Sequence, residues 1–344
     1  MIPLITTGGS AREIGHDVGR GAREQIREAA AQIREELNGR DPAEVLPLIG
    51  PYVEATEAVA PWLLEELRGM AEGSGVPFET LFALNAGEEL VQEAGRRGCS
   101  VVGVAAGASR DGHVLLAHNE DSTAGWADLT YVVRAEPTGL PAFAAFAYAG
   151  LLLHQGVNAA GIGSVGNALY AQDARVGIPK LLAYRRILAE TTMEGAIRVA
   201  TDARRAFGNN HLLASADGLL FDVEVTGGAW ALIAGGNGTL AHTNHLVEAS
   251  LRGMDAGQDT LNSRLRLHRL EALLEAGAGE WDARGLRGVM GDHAHFPGSV
   301  CKPHAPESEL NFGTIGSVVI DVSERTLWAC LGNPCRGAWR QVSA

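Results

Sequence analysis

The sequence predicts an α+β protein in which two antiparallel sheets stack face to face, helices cover them, and a helical leader precedes both. Three observations carry that reading. Apolar residues from 11 to about 95 recur at helical spacing. From Cys99 onward the pattern changes to short strands separated by glycine-rich turns. Those strands come in two batches, separated and followed by helical stretches.

In the leader, Ile14, Val18, Ala22, Ile26, Ala29 and Ile33 form one apolar stripe with charges opposite, ending at Gly39. Pro42, Pro47, Pro51 and Pro61 punctuate shorter helices, and Ser74 to Pro77 break the chain before a helix over about 78–93. Gly95 to Gly98 read as an exposed joint. A hairpin follows, with strands 99–108 and 113–119 around Arg110-Asp111-Gly112. Further strands are expected at 129–136, 142–149, 150–156 and 161–166, with a helical zone over about 179–201. Strands return at 211–215, 219–225, 229–234 and 239–243. Asp259 is placed to cap a helix to about 276, and strands 314–321 and 326–331 close the chain after a loop over 291–312.

The chain has 344 residues, 46% of them hydrophobic, enough for a sizeable core. No stretch approaches the roughly 18 uninterrupted apolar residues of a membrane span. A formal charge of −13 argues against nucleic acid or anionic membranes as partners. Lys180 and Lys302 are the lysines in a chain whose bases are otherwise arginine, a bias read as compositional. The N-terminus lacks a basic region followed by an apolar stretch, so a cytoplasmic location is expected. Cys99, Cys301, Cys330 and Cys335 are too few and too scattered for a disulfide scaffold, and free thiols are expected.

Gly98-Cys99 is the feature that points to chemistry. A small residue directly before a Cys at the head of a strand is a place where a chain can cut itself. Cutting there would give Cys99 a thiol and an α-amine on one residue. A thiol pKa near ~8.5 lies close to the ~8 of an α-amine, so the amine can take the thiol proton at neutral pH. The ordinary alternative is an inert core cysteine. Two demands remain, an orienting group for the amine and donors for the oxyanion. Asp121, at the end of the return strand, can reach the Cys99 amine or thiol. Asn244 and Asn167, each at a strand end, are candidate oxyanion donors, although an Asn so placed is by itself more often a turn or cap residue.

These residues resemble a known group. Gly98-Cys99-Ser100, Asn119-Glu120-Asp121, Gly156 to Gly161, Gly166 to Leu169 and Thr243-Asn244-His245 are similar to motifs of the acyl-CoA:6-aminopenicillanic acid acyltransferase family. That family belongs to the N-terminal-nucleophile hydrolases. The tail is similar as well, at His293 to Pro297, Ser299 to Cys301, Thr314 to Asp321 and Gly332 to Cys335.

The resemblance implies an αββα sandwich and self-cleavage before the nucleophile. The products would be a helical α-subunit, 1–98, and a catalytic β-subunit, 99–344, that stay associated. It implies a small N-acyl amide as substrate, with coenzyme A thioesters open as acyl donors, and no cofactor. Carried over residue by residue, it makes Cys99 the nucleophile, Asp121 the acid, and Asn244 and Asn167 the oxyanion asparagines. His118, Asn119 and Glu120 fall in the substrate-binding stretch. Glu120 stands where the family usually has a bulky apolar residue, and His118 where Gln or Arg is common, so the acyl pocket is expected to differ. An acidic, Ala-rich surface permits monomer or homodimer.

Three rivals remain. His293, His295, Cys301 and His304, with Cys330 and Cys335, suggest zinc, but their spacing fits no standard site, and no metal is expected. A conventional Cys–His enzyme would pair Cys99 with His242, His245 or His211 and need no cleavage. A non-catalytic binding protein of the same fold is the third.

Overall fold

The computed structural model describes residues 1–344 except 38, 92–97, 153–154, 257–259 and 305–311. Fourteen strands are found among the described residues. In chain order they begin β1 (Leu4–Gly9), β2 (Gly98–Val104), β3 (Leu115–Thr123), β4 (Thr130–Pro137) and β5 (Phe143–Tyr148). Next are β6 (Gln155–Asn158), β7 (Ile162–Ala168), β8 (Asn209–Ser215), β9 (Leu220–Val225) and β10 (Trp230–Ala234). The last are β11 (Thr239–His242), β12 (Phe312–Asp321), β13 (Thr326–Leu331) and β14 (Trp339–Ser343). They form an eight-stranded sheet, β1-β4-β5-β6-β7-β8-β9-β10, and a six-stranded sheet, β11-β2-β3-β12-β13-β14.

Each strand sends alternate side chains to opposite faces, and the buried clusters show what each face meets. Between the sheets, Val101, Leu116, Val318 and Ile320 pack with Phe146, Tyr148, Val165 and Leu212. On the outer face of the six-stranded sheet, Val102, Val104, Leu115, Ala117 and Val319 meet Leu270, Leu274, Leu286 and Val289. Those last four sit on helices Leu261–Ala276 and Ala283–Met290. On the far side, Ile162, Leu213, Val223 and Val225 meet Ile187, Met193, Ala196 and Val199, from helices Lys180–Ile187 and Met193–Ala200. The layers run helix, sheet, sheet, helix: an αββα sandwich.

Several expectations need correction. The leader is not purely helical, because β1 pairs parallel with β4 and so joins the eight-stranded sheet. The long first helix is three, Ala11–Gly21, Arg23–Ala31 and Ile33–Glu36, interrupted at Ala22 and Gln32, whose backbones leave the helical region. The hairpin's first strand stops at Val104 and yields to a 3-10 turn, while its second runs on to Thr123. Asp121 therefore lies inside a strand. Positive φ at Ala149 and Gly150 breaks the strand expected over 150–156, which begins only at Gln155. The zone over 179–201 is two helices, and β14 was not anticipated. Asp259 and residues 95–97 of the expected joint lie outside the described residues, while Gly98, its last residue, is buried at the head of β2 and not exposed.

Glycines bring two leader helices into backbone contact. A Cβ on Gly15 would lie 1.8 Å from the Glu66 carbonyl oxygen, and one on Gly69 would lie 2.0 Å from that of Arg12. Helix Pro61–Ser74 is thereby seated on helix Ala11–Gly21. Among the described residues, no helix is long and apolar enough to cross a membrane.

Candidate active site

The hairpin register positions everything at Cys99. Gly98 pairs with Asp121, Cys99 with Glu120 and Val101 with His118. Strand alternation puts Cys99, His118 and Glu120 on the inner face, and Gly98, Ser100, Asn119 and Asp121 on the outer one. Asn119 thus points away from the thiol; its Nδ2 donates to the carbonyls of Met290 (2.8 Å) and Val300 (3.1 Å) in the outer layer.

On the inner face the Cys99 thiol is buried, with Sγ 3.8 Å from Glu120 Oε2. His118 Nε2 lies 3.0 Å from that same oxygen, and Tyr148 donates its hydroxyl to Glu120 Oε1 at 3.2 Å. Burial drives the Cys99 thiol well above its ordinary pKa, and the charges of Glu120 and Asp121 push it further. The Arg266 guanidinium and the Ala168 N–H pull the other way.

This ordering yields a test. Glu120→Gln removes a negative charge that disfavours the thiolate, so the pH midpoint of Cys99 alkylation should move down. At fixed pH the thiol should react several-fold faster, while burial keeps it above an ordinary cysteine. Iodoacetamide labelling followed by peptide mass reads this directly, and an upward or absent shift would contradict the assigned charge.

Asn244, just past β11, grips the nucleophile's backbone. Its Oδ1 accepts from the Cys99 N–H at 2.9 Å and from Arg266 Nη2 at 2.9 Å, and its Nδ2 donates to the Ala168 carbonyl at 3.2 Å. Arg266, buried on helix Leu261–Ala276, also donates to the Cys99 carbonyl and, at 2.9 Å, to Ser100 Oγ. One guanidinium therefore braces Cys99, Ser100 and Asn244 together.

Asp121 serves the outer side of the same peptide. Its Oδ1 accepts from Thr314 Oγ1 at 2.7 Å, and its Oδ2 pairs with Lys302 Nζ at 2.9 Å. An irregularity in β12 between Thr314 and Gly316 sets Thr314 opposite Asp121. A Cβ on Gly98 would lie 3.1 Å from Lys302 Nζ and 3.2 Å from Asp121 Oδ2. A side chain there would be tight, and the Lys302–Asp121 pair would have to give by a few tenths of an ångström. Burial and then the Arg266 charge lower the Lys302 pKa, against the pull of Asp121.

Asn167 lies on β7 opposite Asn210. Its Nδ2 donates to Asn210 Oδ1 at 3.3 Å and lies 3.3 Å from His242 Nδ1, so its described bonds run away from Cys99. His242 is occupied by Glu224 at 2.7 Å and the Thr243 carbonyl at 2.6 Å. Burial drops His211 to about 3 and His245 to about 4, which keeps both neutral. Of the histidines considered, His118 is the one set beside the thiol: ligand atoms of Cys99, His118 and Glu120 lie within 4.8 Å of one another.

Sequence reasoning missed Arg266, Lys302, Thr314 and Tyr148. A signal for Lys302 existed: both lysines of this chain are buried against carboxylates, Lys302 on Asp121 and Lys180 on Glu88. Read as composition, they were a position marker.

Comparisons with known proteins bear on the chain as a whole. The family described as acyl-coenzyme A:6-aminopenicillanic acid acyl-transferase matches residues 108–336, a stretch that begins after Cys99. A curated relative, the acyl-coenzyme A:6-aminopenicillanic-acid-acyltransferase 40 kDa form of Emericella nidulans, is 27% identical over 96% of this chain and 92% of its own length. Among solved structures, a penicillin V acylase from Agrobacterium tumefaciens is similar at TM-score 0.49 and 14% identity, over 71% of this chain and 86% of that one. A Caenorhabditis elegans N-acylethanolamine-hydrolyzing acid amidase ortholog is similar at TM-score 0.47 and 16% identity, over 65% and 93%. With more than half its length matched, this chain belongs to the acyl-coenzyme A:6-aminopenicillanic acid acyl-transferase family.

Proposed function

We propose that the chain is a self-processing N-terminal cysteine amidohydrolase or acyltransferase that works through an acyl-enzyme on Cys99. One observation carries this reading. The Cys99 nitrogen, which cleavage would turn into the terminal amine, is held by a side-chain acceptor, Asn244 Oδ1, at 2.9 Å. Such an acceptor serves the amide before cleavage and the amine after it.

In the cleavage step, Cys99 Sγ attacks the carbonyl carbon of Gly98 and the Gly98–Cys99 C–N bond breaks. The thiol proton ends on the Cys99 nitrogen, leaving Gly98 as a thioester. Water opens the thioester to a Gly98 carboxylate and a Cys99 bearing both thiol and amine. Lys302 Nζ, a buried cation 3.1 Å from where a Cβ on Gly98 would sit, favours negative charge developing at that residue, and Asp121 fixes its position.

In turnover the amine takes the thiol proton, the thiolate attacks an acyl carbonyl, and the departing amine recovers the proton. Water or a second amine then discharges the acyl group. Asn244 and Asn167 are the proposed oxyanion donors; to serve, Asn244 Nδ2 must leave the Ala168 carbonyl and Asn167 Nδ2 must turn from Asn210, while the Ala168 N–H already faces the thiol. His118 and Glu120 are the proposed neighbours of the acyl group, with Asn119 bracing their strand from the other face. The named activity of the curated relative supports a coenzyme A thioester as acyl donor and an amine as acceptor; a small N-acyl amide is the proposed hydrolytic substrate.

The fragments 1–98 and 99–344 would stay joined. Buried ion pairs Glu66–Arg185 (3.1 Å) and Glu88–Lys180 cross between them, as does the β1–β4 pairing.

N-terminal sequencing and intact mass test the reading. Two N-termini are expected, one of them Cys99-Ser100-Val101. A single uncut chain that turns over amides would overturn it and favour an internal pair of Cys99 with His118, the histidine beside the thiol.

A further inference from the structure

Behind the Lys302–Asp121 pair, the fold gathers three side chains that the proposed chemistry does not use. Cys301 Sγ and Cys335 Sγ are 3.7 Å apart, and His293 presents a ring nitrogen within 4.8 Å of both sulfurs. We propose that His293, Cys301 and Cys335 form a binding site for a zinc-class divalent cation, with water as the fourth ligand.

The sulfur spacing fits such an ion, and the imidazole lies near enough to close on it. Zn–S bonds of about 2.3 Å at a tetrahedral angle set two sulfurs about 3.8 Å apart, and a Zn–N bond of about 2.0 Å sets the nitrogen about 3.5 Å from each. A disulfide would require about 2.05 Å between the sulfurs. The donor set is one imidazole and two thiols, a combination that selects zinc among abundant divalent cations. Sequence spacing hid it, because the ligands come from two segments that meet only in the folded chain.

Supporting contacts surround the ligands. Asn333 Nδ2 donates to Cys301 Sγ at 3.4 Å and to the Lys302 carbonyl at 2.8 Å, which locks the sulfur's orientation. The Cys301 N–H donates to the Asp292 carbonyl at 2.9 Å, anchoring the stretch that carries His293. Gly332, at φ +69°, starts the turn that delivers Cys335, and the Arg336 N–H closes it onto the Asn333 carbonyl at 3.2 Å. Cys301 is buried, whereas His293 and Cys335 are exposed, so the ion has an entry path and a face open to water. Cys301 directly precedes Lys302, so a bound ion would tie the C-terminal turn to the backbone that holds the Lys302–Asp121 pair. On binding, both thiols enter as thiolates and release their protons to solvent.

Cobalt(II) is the probe. Added to the reduced full-length protein, it should give thiolate charge-transfer absorption and tetrahedral visible bands that saturate at one equivalent and bleach when zinc is added. Cys335→Ser and His293→Ala, both at exposed positions, should each weaken the bands and the affinity at least tenfold, with circular dichroism unchanged. Cys99→Ala should keep them, which separates this site from the Cys99–His118–Glu120 group. No thiolate bands in the reduced wild type would overturn the proposal, as would bands that survive Cys335→Ser or vanish in Cys99→Ala. A mass two hydrogens lighter after air exposure, without cobalt binding by the reduced protein, would identify a disulfide pair in its place.

Discussion

Replacing Cys99 with alanine is expected to leave one uncut 36.1 kDa chain that turns over no amide. The size of the effect follows from one atom serving two reactions. Sγ attacks the Gly98 carbonyl in maturation and the substrate carbonyl in turnover, and no other cysteine lies on the hairpin to replace it. Removing a nucleophile costs about 10⁴-fold or more, because the remaining groups can only stabilise a charge that no longer forms. Alanine fits the site sterically, since Cys99 is buried among groups that contact its backbone as well as its sulfur. The variant should therefore fold and keep the wild-type melting profile. Gel mobility and intact mass read cleavage, and a chromogenic N-acyl amide reads turnover. Wild-type activity in the alanine variant would end the assignment of Cys99.

Asp121→Ala is expected to have the next largest effect, and it separates charge balance from chemistry. Lys302 would keep its ammonium in a buried site without its carboxylate, at a cost of about 3–5 kcal/mol in stability. Thr314 would lose its acceptor as well. Cleavage at Gly98 should slow sharply, since the cation beside it is no longer held in position. Adding Lys302→Met removes the stranded charge, so the double variant should recover most of the stability. Its cleavage should stay impaired, because the cation beside Gly98 is gone. Denaturant melts and a time course of chain cleavage give the two readouts. If Asp121→Ala matures and turns over like the wild type, Asp121 leaves the site; if the double variant regains cleavage, Lys302 acts only through stability.

The hairpin shows how far local patterning reaches. Val101, Val102 and Val104 after Cys99, and Asp-Gly in the turn, announce two antiparallel strands without any tertiary information. They do not announce where the second strand ends. Its continuation to Thr123 is imposed by β12, which pairs along it from Asp321 to Phe312 and satisfies backbone groups that would otherwise face water. That extension moves Asp121 from a free strand end to a position directly opposite Gly98.

The same limit explains the missed residues. Arg266 reads as one more polar position on an amphipathic helix, yet it is buried because that helix lies across β2 and β11. Lys302 and Thr314 belong to a loop and a strand about 200 residues from Cys99 in the chain, and only sheet pairing joins them to it. Asn119 looked like part of the reactive stretch because it neighbours Glu120. Strand alternation sends it to the opposite face, where two carbonyls take its donors.

The sequence by itself determined the class of fold, the hairpin, the candidate nucleophile and the glycine before it, because each of these depends on neighbours within a few residues. The tertiary structure alone decided which groups surround that nucleophile. Asn244, Arg266 and Lys302 reach the Gly98–Cys99 segment only when β11 and β12 join the hairpin in one sheet and a helix closes over it, and burial there is what makes their charges and hydrogen bonds strong.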